Sequence, residues 1–227
     1  MMGRTHAMCG AAAMLTALSI TGPHHSSPTS LTPATIAVAT LTAAGAALLP
    51  DLDHPHSTIS RSLGPISRLL SNLTTAISGG HRHATHSLLG LIAATLIAGA
   101  LLHLDPTVLA VAIGFLTALG AGSLGITSGR PTRLLLVGGV LAATMLGFSV
   151  GVETSILPWA IGIGIATHIV TDMLTGDGVA LLHPWRCRIG IGALTTGGTI
   201  EKFLIAPSVA IMIVVQLWQL LWTGGVL

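Results

Sequence analysis

The sequence predicts an all-α fold: a polytopic bundle of about seven transmembrane helices, with a short amphipathic helix on the cytoplasmic side. Three observations predict it. First, 51% of the 227 residues are hydrophobic and only 7% are charged, with a mean hydropathy of +0.85; about 25% charge is usual for a soluble domain, so this chain has too little to cover a globule in water. Second, apolar stretches recur from end to end, divided by Gly, Pro and charged residues. Third, alternate crossings put every cation on one side. A soluble enzyme and a disordered tail are excluded by this composition. A nucleic-acid binder is excluded by a net charge of only +2 with no Lys/Arg run. Cys9 and Cys187 stand far apart in no disulfide or thiolate-metal spacing.

In chain order, the first apolar stretch covers residues 7–20. It begins like a signal peptide, but no A-x-A site follows and Thr21-Gly22-Pro23-His24-His25 suits cleavage poorly, so a retained helix is expected. Residues 34–49 and 156–171 form two further stretches. All three are shorter than the ~20 residues that cross a ~30 Å hydrocarbon layer, and are expected to begin or end inside protein. The remaining spans are 87–104, 107–126, 134–151 and 203–222, with five or six crossings as the alternative if the short ones are re-entrant or interfacial. Small residues recur inside them (Gly45, Gly114, Gly162, Gly164), which lets helices approach closely in a membrane. With seven spans and the N-terminus inside, all nine Lys and Arg fall on the cytoplasmic side and only Asp105 and Glu153 among the acids fall outside, the distribution expected of an inner-membrane, multi-pass protein.

The whole of 1–227 reads as one domain with two cytoplasmic, site-bearing loops, 50–86 and 172–202. Within the first, Ile59, Leu63, Ile66, Leu69, Leu70 and Leu73 recur at helical spacing with Arg61 and Arg68 between them. That pattern suits either a helix lying on the membrane surface or a packed cytoplasmic helix. The second loop is Gly-rich and is expected to be a lid or a short hairpin.

Histidine, eleven residues, outnumbers each class of charge. His6 begins the first span; Asp51, Asp53 and His54 follow the second; His81, His83 and His86 precede the third; His168 and Asp172 share one face of the sixth, a turn apart. Four spans thus deliver imidazole and carboxylate to one leaflet. Ionisable groups at membrane depth are costly and pair or line polar cavities, and this donor set suits zinc, manganese or iron. Taken singly, each element has a plain alternative: a buried His bonded to Asp172, solvated carboxylates at a helix end, a polar loop. Their co-location is what argues for a site.

Leu49-Pro50-Asp51-Leu52-Asp53-His54-Pro55, Gly80-His81-Arg82-His83-Ala84-Thr85-His86-Ser87 and Thr167-His168-Ile169-Val170-Thr171-Asp172, preceded by Thr5-His6 and followed by Gly178 to Pro184 and Glu201-Lys202-Phe203, together resemble the YdjM-like membrane-bound metal-dependent hydrolases of bacterial inner membranes. The resemblance implies metal ligands at His6, Asp51, Asp53, His54, His86, His168 and Asp172, and catalytic roles for Asp53 (ligand or base), His81 (ligand or orienter) and Arg82. Arg82 would hold a phosphate oxygen or pair with Asp51 or Asp53. His83 falls on a position that the pattern leaves variable, and His183 stands where other members often have an aromatic residue, so neither joins the set. A weaker likeness to the helical zinc-dependent phospholipase C group suggests the reaction class.

The expectation is hydrolysis of a phosphoester in a lipid or lipid-linked substrate, at the cytoplasmic leaflet, with one to three divalent ions, Zn2+ first and Mn2+ or Fe2+ as alternatives. The rival is a divalent-metal transporter, or a metal-binding membrane protein without catalysis. Transport predicts ionisable residues stepping through the midplane, whereas here they stop at one leaflet.

Overall fold

The computed structural model describes residues 1–21, 31–62, 64–127, 152–185 and 187–223. Seven α-helices and no strands occur among them: α1 (Gly3–Thr21), α2 (Pro33–Ala46), α3 (Pro65–Ser78), α4 (Leu88–Leu104), α5 (Pro106–Leu124), α6 (Leu157–Met173) and α7 (Ala206–Thr223). The expected span at 134–151, with Leu63, Arg130, Arg133, His24 and His25, lies outside the described residues. Among the described residues, four segments are long and apolar enough to cross a membrane: Pro33–Asp53, Thr107–Leu124, Thr154–Met173 and Glu201–Trp222. Helix α4 is apolar but shorter.

Local chemistry sets the helix ends. Thr32 caps α2 by accepting the Thr35 N–H, with Pro33 in the first turn. Ser87 caps α4 through the Gly90 N–H, and Asp105 caps α5 through the N–H groups of Thr107 and Val108. Gly79 ends α3 and Gly125 ends α5 in the left-handed conformation (φ 77° and 81°), where a Cβ is disfavoured.

Helix α2 is central, packed on α1, α5 and α6, while α4 lies on α6 and α7 on α1. Between helices in a bilayer there is no hydrophobic drive, so cohesion comes from close packing. The glycines supply it. A Cβ at Gly45 would strike the backbone of Leu116, one at Gly120 the backbone of Leu41, and one at Gly164 the carbonyl of Ala43. Over 18 residues, the segment that begins with α2 is 67% buried and the one that ends in α7 is 6% buried, which separates a bundle core from a surface helix. At 19 residues α1 is longer than the 7–20 stretch expected; it is not among the four apolar segments, and Ala7, Ala11, Leu15 and Leu18 are fully buried, as suits a helix enclosed by protein.

Helix α3 is amphipathic as expected, but its orientation is the reverse of a core helix. Ser67, Ser71 and Ser78 face the protein, and Ile66, Leu69, Leu73 and Ile77 are exposed. The Ser67 hydroxyl donates to the Ser60 carbonyl, 2.9 Å, and the Thr75 hydroxyl to that of Asp53, 2.8 Å, so polar bonds hold α3 down and its apolar face points outward. Of the two readings open from sequence, this arrangement fits the helix at a membrane surface. In the second loop, Val179 and Ile189 exchange backbone hydrogen bonds and Thr175 bridges to Leu194, giving an irregular loop with two isolated bridges in place of a hairpin.

Candidate metal centre

The chain leaves α2 through a 3₁₀ turn, Pro50–Asp53, which places Asp51 and Asp53 in different directions. The segment 79–86 then turns sharply: Gly79, Gly80 and Arg82 all have positive φ, 64° at Arg82, a conformation strained for a residue with a Cβ. A second 3₁₀ turn, Ala84–His86, delivers His86 to the top of α4. Against these, α1 contributes His6, and the last turns of α6 contribute His168 and Asp172.

Three imidazoles converge with the same polarity. The Nδ1 of His168 lies 2.7 Å from the carbonyl oxygen of Ala47. A carbonyl only accepts, so this nitrogen carries the proton and Nε2 presents a lone pair. His86 Nδ1 is 2.9 Å from the Thr85 hydroxyl oxygen, whose own proton goes to Asp53, so here too Nδ1 donates and Nε2 is bare. His6 Nδ1 donates to Thr171 Oγ1, 2.8 Å, while that hydroxyl donates to backbone carbonyls of α6. In neutral rings all three Nε2 lone pairs point inward.

What they point at is other lone pairs. His86 Nε2 and His168 Nε2 are 3.1 Å apart. Asp51 Oδ1 lies 3.8 Å and 3.7 Å from these nitrogens, and Asp172 Oδ2 the same 3.8 Å and 3.7 Å. His6 Nε2 faces Asp172 Oδ1 at 3.3 Å and its ring stacks on His168 with centroids 3.9 Å apart. Buried lone pairs at these distances repel unless a cation lies among them. Three groups of side chains among the described residues are spaced to hold a metal ion: His6, His168 and Asp172; Asp51, His86 and His168; Asp53, His81 and His86. Nitrogen and carboxylate donors without thiolate fit a divalent ion such as zinc, manganese or iron.

Asp53 is fully enclosed, and its oxygens are occupied. Oδ1 accepts from His81 Nδ1 at 2.6 Å, and Oδ2 accepts the Arg82 N–H at 3.2 Å and the Thr85 hydroxyl, with His86 Nδ1 at 3.4 Å. It orients two histidines and fixes the turn at Arg82. His54 falls outside all three groups; its ring packs edge-on to His81 at 4.9 Å and its Nδ1 accepts the His56 N–H.

The Arg82 guanidinium pairs with neither Asp51 nor Asp53. One amino group meets Asp172 Oδ2 at 3.1 Å, and the other meets Asp177 at 3.3 Å and Thr175 Oγ1 at 3.2 Å. Its Nε is buried without a hydrogen-bond partner. Asp172 Oδ1 also takes the amino group of Met1, 3.0 Å. The structure therefore brings together His6, Asp51, His86, His168 and Asp172, with Asp53, His81 and Arg82 around them.

Sequence reasoning missed several partners. Thr85 and Thr171 fix the tautomers of His86 and His6, and Asp177 holds the far side of Arg82. Glu201 is buried and accepts the Met2 and Gly197 N–H groups, both at 2.7 Å, tying the one-turn π-helix Glu201–Ile205 to the start of α1. A Thr next to a candidate ligand was the available signal. The backbone carbonyl of Ala47 left none.

The family model described as YdjM inner membrane protein matches residues 1–226. No curated protein and no solved structure matches the chain.

Proposed function

The chain belongs to the YdjM inner membrane protein family, and from that premise we propose that it is a metal-dependent hydrolase of the cytoplasmic leaflet. Its proposed substrate is a phosphoester of a membrane lipid or lipid-linked molecule. The observation that carries the reading is the pair of buried Nε2 atoms 3.1 Å apart, each with its Nδ1 already committed to an acceptor, flanked by Asp51 and Asp172.

His6, Asp51, His86, His168 and Asp172 would hold the metal, zinc by the donor set, with manganese and iron as alternatives. Such an ion supplies Lewis acidity to a phosphoryl oxygen and makes water a competent nucleophile at neutral pH. The chain's own residues do the positioning. Ala47, Thr85 with Asp53, and Thr171 hold the three imidazoles in the tautomer that presents Nε2. Arg82 holds Asp172 with one amino group, and its partnerless Nε–H is the donor left to meet a phosphate oxygen. His81, whose side chain is 36% exposed and bonded to Asp53, is the more accessible group for a proton. The side chain of Asp51 is 21% exposed against 0% for His86 and His168 and 2% for Asp172, so substrate enters at the Asp51 edge.

The proposed topology has seven spans with the N-terminus cytoplasmic; a reporter fused after Leu227 is then expected on the far side of the membrane, and a cytoplasmic reading contradicts the count. For the reaction, purified protein is tested for phosphate or phospho-headgroup release across a panel of lipids, with and without chelator. The expected result is turnover abolished by chelator and restored by zinc or manganese. Chelator-insensitive turnover contradicts the mechanism.

A further inference from the structure

A cavity of about 380 Å³ lies against the proposed site and has no part in holding the metal. Leu49, Pro50 and Leu52, the neighbours of Asp51, form one wall; Ile77 of α3, Ala94 of α4 and Ile165 of α6 form others. Its size is in the range of small-molecule sites. Thr74 and Ser78 of α3 are hydroxyl residues in an otherwise apolar lining, and Thr85, the residue whose hydroxyl bonds Asp53, lines its end at the proposed site. From there it runs along α4, where Ala94 is about 9 Å beyond Leu88 at 1.5 Å per residue. On α6, Ile165 lies nearly one turn from His168 toward the opposite end of the helix from Asp172. The cavity therefore begins at the level of the carboxylates and histidines and descends toward the hydrocarbon layer.

Ile77 lines it and is 84% exposed on the outward apolar face of α3, so the cavity reaches the surface there; on α4 the residue beside the lining Ala94, Ile97, is 60% exposed. A polar end at a metal site and an apolar body opening sideways to lipid match one kind of occupant, an amphiphile whose head is processed while its tail stays in the bilayer.

We propose that the cavity between α3, α4 and α6 holds one acyl chain of the phospholipid substrate, entering laterally between Ile77 and α4 so that the headgroup phosphate comes to rest at Asp51. This rests on the hydrolase reading for the word substrate, but chain binding is separable from catalysis. The chain supplies remote binding energy that positions the phosphoester.

The test is photo-crosslinking of the full-length protein in vesicles of phosphatidylglycerol carrying a diazirine at the acyl terminus, with labelled peptides mapped by mass spectrometry and metal content measured on the same samples. Labelling is expected at the enclosed lining, residues 49–52 and Ile165, as well as on α7, whose exposed face serves as the internal control. Ala94→Phe, which fills the cavity, is expected to lower labelling at 49–52 and Ile165 by about tenfold, corresponding to about 1.4 kcal/mol, while α7 labelling and metal content stay unchanged. Ala94→Leu, a milder filling that keeps the fold testable if the Phe variant misfolds, is expected to give an intermediate loss. Protection of 49–52 and Ile165 in the parent protein, as a protein segment seated in the cavity would give, overturns the proposal. So does equal labelling in parent and variants. Metal present with no cavity labelling sinks the chain site and leaves the hydrolase reading intact; labelling without metal does the reverse.

Discussion

His86 and His168 face each other through Nε2 atoms 3.1 Å apart, in the core of a bundle where neither ring touches solvent. The contact is made by residues 82 positions apart on different helices. Each ring is locked from behind by a different kind of acceptor, a hydroxyl in one case and a helix carbonyl in the other. Two neutral rings held this way turn their lone pairs on each other, a repulsion that a metal ion held by both Nε2 atoms would relieve, and the predictions below follow from that reading.

Asp53 acts on the site through His86, His81 and Thr85. Asp53→Asn keeps the size of the side chain but loses the charge that three donors share. Metal affinity, measured by competition with a chromophoric chelator, is expected to fall about 10- to 100-fold with the number of ions bound at saturation unchanged. Unchanged affinity would mean that Asp53 does not orient ligands.

The two acids on Arg82 are not equivalent. Asp177 is 76% exposed, and Asp177→Asn is expected to leave metal binding intact and to change stability by less than about 1 kcal/mol, as for other exposed pairs. Asp172→Asn removes a buried carboxylate that serves His6, Arg82 and the Met1 amino group together, and is expected to abolish metal binding. Equal effects of the two substitutions would contradict the placement of the centre.

Close helix contact at glycine gives a stability contrast. Gly164→Val would drive a side chain into the Ala43 carbonyl and is expected to cost more than the roughly 1–3 kcal/mol of ordinary overpacking. Gly99, inside α4, has nothing within 4 Å of a built Cβ, so Gly99→Ala is expected to be neutral or stabilising by up to about 1 kcal/mol. Thermal unfolding in detergent reads both; similar melting temperatures for the two variants would refute the packing account.

Orientation of α3 is testable by depth. Leu73→Trp puts an indole on the exposed apolar face, and added fluorescence quenched by lipids brominated in the acyl chain is expected relative to the parent protein. Ser71→Trp places it on the protein-facing side, where no added quenching is expected. The reverse order would place the apolar face against protein.

Most of the fold was legible because lipid imposes long apolar runs, and the starts of α2, α4 and α5 carry their caps in Thr32, Ser87 and Asp105. The direction of α3 was not legible: the period identifies an apolar face, and only tertiary bonds from Ser67 and Thr75 show that it turns outward. The grouping was legible, since His6, Asp51, His86, His168 and Asp172 fall at the ends of apolar stretches, and the structure brings them near one another. Its internal division was not. Asp51 and Asp53 are two residues apart and read alike, yet the 3₁₀ turn sends one to the Nε2 atoms and the other to Nδ1 and backbone N–H donors. Arg82 could be flagged from its motif, but its partner Asp177 lies in an irregular loop 95 residues on, beyond any local pattern.

The most direct test of the central claim is elemental analysis of the purified protein beside His86→Ala and His168→Ala, all refolding-checked by melting curves. The account predicts at least one divalent ion per chain in the parent protein and its loss in both variants. A metal-free parent protein reconstituted to no binding, or full occupancy in both variants, would contradict it.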